Sequence, residues 1–240
     1  MKVEVSITRN TTLVILFSLA MGFLESAVVV YLREHYYPLG FQFPLVPVSL
    51  TTSITEIGRE AATVIMLVCI GWLAGFNATT RFAYFILSFA VWDIMYYIGL
   101  KLVLNWPVSI LEWDILFLIP FPWLGPVLAP CLLSVLMIIL ALFLLKNNVQ
   151  KLTLLLPAYS WLLLTAGSLI CIGSFLYEYI IYRKMSYSPS VESGAESYIM
   201  DDLKTFIPGE FSWALFLSGF ILLTIPVFNL IHKTYRTTKA

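Results

Sequence analysis

The sequence predicts an all-α, polytopic transmembrane helical bundle of about six spanning helices, with a short interfacial or re-entrant segment near 108–120. Three observations predict it. Hydrophobic residues make up 60% of the chain and charged residues only 12%, whereas a soluble domain is near half apolar and a quarter charged. Six apolar runs are long enough to cross about 30 Å of hydrocarbon at about 1.5 Å per residue. The charged residues inside those runs are few and, apart from Glu178 near the end of one, fall in the first half of the chain. The whole of 1–240 is read as a single integral membrane domain whose first partner is the lipid bilayer. Lysine plus arginine equals aspartate plus glutamate, which gives no sign of nucleic-acid binding.

The first run, 12–32, follows Lys2 and Arg9. At about 20 residues it has spanning length, so it is a retained helix rather than a signal peptide. Ser18, Gly22 and Ser26 recur every four residues in it and form a small-residue stripe for close helix–helix association. Glu25 borders the stripe and so points into the bundle, and Arg33 lies eight residues later on a similar face. The second run, 57–76, is entered through TEIGREAAT. Glu56 and Glu60 are one turn apart, with Arg59 between them. The Glu56–Arg59 spacing suits a local ion pair, and Arg59 is long enough to reach Glu25 or Glu60. Gly71 and Gly75 add a second small-residue patch.

The third run, 83–102, carries Asp93 near its middle, where an unpaired charge costs several kcal/mol. Tyr97 lies one turn above it and Lys101 two turns above. The lysine should snorkel outward, which leaves Tyr96 or Tyr97 as the nearer hydrogen-bond partner. The runs 125–145, 153–182 and 212–232 contain Pro130, Pro157 and Pro226. Their interiors hold no Asp, Glu, Lys or Arg, apart from Glu178 near an end, and offer only hydroxyls such as Ser134. That imbalance argues against a symmetric inverted-repeat transporter, in which both halves supply the site.

The connections are informative too. Residues 36–52 are apolar yet broken by Pro38, Pro44 and Pro47. Residues 108–120 are apolar but too short to span easily. The triplet Trp-Asp-Ile occurs at 92–94 and again at 113–115. The second copy is placed at the membrane surface, where Asp114 and its neighbour Glu112 reach water or headgroups and Trp113 anchors the segment. The polar loop 184–210 is expected to form one short helix near 195–206, either as a connector or as a lid. Basic residues set the orientation. Lys2, Arg9, Arg81, Lys146, Lys151, Lys233, Arg236 and Lys239 on one side outweigh Arg33, Arg59, Lys101, Arg183, Lys184 and Lys204 on the other. Both termini are therefore predicted to be cytoplasmic, in the cytoplasmic (plasma) membrane. The glycosylation patterns at Asn10 and Asn77 fall on that cytoplasmic side.

Glu25, Glu56, Arg59, Glu60, Asp93 and Tyr97 form the candidate substrate- or ion-binding set, drawn from three successive spans that short loops make neighbours. No nucleophile elbow, Walker loop or zinc-protease motif is present. Cys69, Cys131 and Cys171 are isolated within apolar runs and read as small buried hydrophobes. His35 and His232 lie beside helix ends, so histidine-ligated metal chemistry lacks its ligands. No metal site is assigned, and nothing specifies a cofactor. Three functions are compatible with this pattern. The first is a small transporter or proton-coupled protein. The second is a membrane-embedded enzyme acting on a lipid or lipid-linked substrate. The third is an assembly subunit that docks through the small-residue stripes.

Overall fold

A computed structural model of the chain describes residues 2–149, 157–186 and 205–239. It contains helices α1 (Lys2–Tyr36), α2 (Leu50–Ala74), α3 (Ala78–Leu104), α4 (Leu128–Val149), α5 (Ala158–Ser186) and α6 (Trp213–Lys239), with strands β1 (Trp113–Phe117) and β2 (Trp123–Pro126) between α3 and α4. Six helices among the described residues are long and apolar enough to cross a membrane, and each overlaps one predicted run. The protein is an integral membrane protein. Of the expected lid, the short helix near 195–206 lies outside the described residues except for its last two positions.

Helix boundaries follow local chemistry. Ser49 caps α2 by accepting the Thr52 N–H at 3.1 Å. Asn77 and Thr80 close a reciprocal capping box at the start of α3, satisfying two of the orphan donors of a helix N-terminus. Asn77 thus caps a helix. The three prolines expected inside spans are not equivalent. Pro157 immediately precedes α5, Pro130 lies in the first turn of α4, where no intrahelical donor is lost, and only Pro226 interrupts a helix interior.

Helix α3 is the centre of the first half and packs against α1, α2 and α4, while α5 pairs with α6. Both small-residue stripes are occupied by α3. Ser18 Oγ meets Ser88 Oγ at 2.8 Å. A Cβ on Gly22 would lie 2.7 Å from the Trp92 carbonyl, and Gly99 faces the Ser26 hydroxyl. Gly71 and Gly75 likewise pack against Arg81 and its neighbour residues on α3. The stripes serve cohesion within the chain.

The segment 108–120 does not form a helix. Its second half is β1, paired antiparallel with β2 through Asp114–Gly125 and Ile115–Leu124. The ladder extends outward through Val127 N–H to Glu112 O at 3.0 Å and Leu128 N–H to Ile110 O at 2.8 Å. Backbone without helix is tolerated near a bilayer only where its polar groups are satisfied within protein, and the hairpin meets that condition by pairing with itself. It sits where α1 ends, α2 begins and α3 ends. This end of the bundle is called the hairpin face below.

Gly22→Ala is expected to destabilise the fold by about 1–3 kcal/mol through overpacking of α1 on α3. Gly58→Ala, on a face of α2 where a Cβ meets nothing within 4 Å, is expected to be neutral or stabilising by up to about 1 kcal/mol. Thermal denaturation of the two variants in detergent checks the contrast, and similar melting points would contradict it.

Candidate functional site

One cavity of about 150 Å³ lies beneath the hairpin face, and Glu25, Glu56, Arg59, Glu60, Asp93 and Tyr97 all line it. Three helices bring them together: α1 supplies Glu25, α2 supplies Glu56, Arg59 and Glu60, and α3 supplies Asp93 and Tyr97. Among the described residues, none from α4, α5 or α6 lines it. Val46 and Val48 of the connector between α1 and α2, with Thr52 of the first turn of α2, carry the cavity to the hairpin face. At the opposite end Trp92 lines the cavity and packs with buried Met21 and Leu67.

Two charge clusters form the walls. In the first, Arg59 is the hub. Its Nε and Nη2 donate to the same Glu56 oxygen at 3.0 and 2.8 Å, and its Nη1 pairs with Glu25. Thr63 Oγ1 donates to the other Glu25 oxygen at 3.4 Å. Glu60, 8% exposed, accepts the backbone N–H of Leu118 at 2.8 Å. That bond ties α2 to the turn between β1 and β2.

The second cluster corrects the placement of Asp114. This residue does not reach water or headgroups. It is 2% exposed and takes a 2.9 Å ion pair from Arg33 Nη2. The hairpin folds its Trp-Asp-Ile copy inward, so both copies deliver an aspartate to one cavity. The Arg33 guanidinium is held over the rings of Trp106, 3.7 Å from centroid, and Phe41, 4.2 Å. Tyr96 OH donates to Asp114 at 3.5 Å. Burial pushes the Asp114 carboxyl above the usual aspartate range, and Arg33, the Ile115 N–H and the hydroxyls of Tyr97 and Tyr96 pull it back. Tyr97 therefore serves Asp114. The partner of Asp93 is Ser134 of α4, whose Oγ donates at 2.8 Å. Lys101 turns outward to the carbonyls of Asn105 and Pro107.

Arg33, Asp114, Trp92, Tyr96 and Ser134 are the residues that spacing alone did not assign to the site. Arg33 and Asp114 lie 81 positions apart, and only the hairpin brings them together. A usable signal was the repeated triplet: an aspartate between two large apolar residues is an odd choice for a surface. Around the cavity stand five carboxylates and two guanidinium groups, a formal excess of three negative charges. Among the described residues no set of three or more His, Cys, Asp or Glu is grouped to hold a metal ion. The acids are spread around the walls and engaged by arginine, hydroxyl or backbone donors.

Arg33→Gln leaves Asp114 buried without its cation, an expected loss of about 3–5 kcal/mol at neutral pH. A carboxyl raised further in the folded state holds more protons folded than unfolded over the window above the ordinary aspartate range. The deficit of the variant therefore shrinks as pH falls through that window. Adding Asp114→Asn is expected to recover most of the loss. Melts of the single and double variants at about pH 8 and about pH 5 test this, and a deficit independent of pH would contradict it. No protein-family model matches the chain, and comparison with curated proteins and with solved structures found no match.

Proposed function

We propose that the protein is a small transporter or proton-coupled membrane protein, and that the cavity under the hairpin is its site for a cationic solute or protons. One observation carries this reading: five carboxylates against two guanidiniums around a single cavity. Away from bulk water such an excess is expensive unless cations or protons offset it. The cavity reaches one face and ends on the apolar cluster of Met21, Leu67 and Trp92, which suits one state of an alternating-access cycle. Residues Glu25, Glu60 and Asp93 are the proposed ligands, and Arg59 holds the charge balance among them.

The same reading puts both termini in the cytoplasm and the protein in the cytoplasmic membrane. Arg33 and Arg59 are paired inside the cavity, so they do not act as free surface charge on the hairpin side. The remaining bias toward basic residues beside the termini is then larger than a plain count suggests, in keeping with the positive-inside rule.

A membrane-embedded enzyme remains the second reading, on one observation. Apolar side chains such as Val29, Leu32 and Leu45 share the cavity with the acids, as a lipid-linked substrate would need. Glu60 or Asp93 would then act as general acid or base. An assembly subunit is the third reading; the packing of both small-residue stripes on α3 gives it less support.

Asp93→Asn and Glu25→Gln are expected to lower solute or proton flux into proteoliposomes by at least about tenfold, equivalent to about 1.4 kcal/mol of lost interaction. The pH dependence of the residual flux should change as well. Unchanged flux in both variants across the pH range would remove the transport reading.

A further inference from the structure

We infer that the ligand of this cavity is a small zwitterion that carries an ammonium group and an oxyanion. The inference rests on the cation-binding reading above and adds the anionic half. The two charge clusters are not alike. Arg59 pairs with two carboxylates, whereas Arg33 has the single carboxylate partner Asp114. The Arg33 side chain is 7% exposed, and its Nη1 finds no acceptor among the described residues. The Trp92 indole Nε1, on a residue 7% exposed, is also without an acceptor among those residues. Both residues line the cavity. Guanidinium and indole nitrogens only donate, and a buried donor left unpaired is destabilising.

These orphans decide between ligand classes. A metal ion or a simple amine answers the carboxylate excess but offers Arg33 and Trp92 nothing to bind. A simple anion answers the donors but worsens the negative excess. A molecule bearing both groups answers both. Size narrows it further: a cavity near 150 Å³ holds a ligand about the size of benzene or slightly larger. That suits an amino acid or an aminoalkyl phosphate, either free or as the headgroup of a lipid. The ammonium is assigned to the acids around Arg59 and the oxyanion to Arg33.

Calorimetric titration of the purified protein in phosphatidylglycerol nanodiscs tests the proposal with ethanolamine, inorganic phosphate, glycine and phosphoethanolamine as probes. At least one zwitterion is expected to bind about tenfold or more tighter than ethanolamine, about 1.4 kcal/mol. Arg33→Lys keeps a charge opposite Asp114 but removes the second guanidinium nitrogen, and it should bring that ratio close to one. Trp92→Phe, which removes only the indole donor, should reduce the ratio in part. Nanodiscs containing phosphatidylethanolamine separate the sources: competition with phosphoethanolamine identifies a lipid headgroup, and no competition a free solute. Equal affinity for ethanolamine and both zwitterions overturns the inference and leaves cation binding standing. Phosphate binding as tightly as the zwitterions overturns it too. Failure of every amine to bind removes the cation-binding reading and this inference together.

Discussion

Charges withdrawn from bulk water inside an apolar bundle must be neutralised by their immediate neighbours, and the hairpin face of this protein is organised by that constraint. Five acids and two arginines border one small cavity, and apart from the Glu56–Arg59 pair within α2 their partners come from other elements. Glu25 of α1 depends on Arg59 of α2, Asp93 of α3 depends on Ser134 of α4, and Arg33 of α1 depends on Asp114 of β1. Each bond crosses between elements, so the charges fix which elements are neighbours as well as offsetting one another. The hairpin is held at both ends of β1 by this means. Asp114 anchors it to α1, and the Leu118 N–H anchors it to Glu60 on α2.

Close helix packing makes those reaches possible. Glycine and serine on α1 let its backbone approach α3 to within van der Waals contact of the Trp92 carbonyl, and the Ser18–Ser88 bond lies along the same seam. With bulky residues there, α1 and α3 would stand farther apart. Glu25 would then lose register with α2, and Arg33 with the hairpin. The second half of the protein solves a different problem. Helices α5 and α6 approach each other through Gly167 and Gly219, and Phe175 and Phe216 on them, with Phe211 just before α6, back the hairpin as an aromatic cluster. They bring no side chain to the cavity among the described residues. Chemistry and support are thus divided between the halves.

The spans were legible because lipid demands long apolar runs, and the first-half acids because an ionisable residue inside such a run stands out. Arg59 pairs with Glu56 and Glu25 as its length and spacing suggested. What escaped was long-range. Asp114 lies in a run too short to span, where surface exposure is the default, and nothing local reveals a cation 81 residues upstream. For the same reason Asp93 was matched to tyrosines on its own helix when its donor comes from α4. The hairpin itself was hidden because a short apolar run reads equally as helix or strand by periodicity.

The acids of α1 to α3 share one polar cavity that opens toward the hairpin face. Thiol labelling in a background without Cys69, Cys131 and Cys171 tests that arrangement. Val29 on α1 lines the cavity, whereas Leu24 on the same helix is 66% exposed on the outside of the bundle, where lipid lies. A cysteine at Val29 should react with a membrane-impermeant reagent added on the hairpin side, and one at Leu24 should not. Equal reactivity at the two positions, or labelling of Val29→Cys only from the opposite side, would mean that no such cavity opens on the hairpin face.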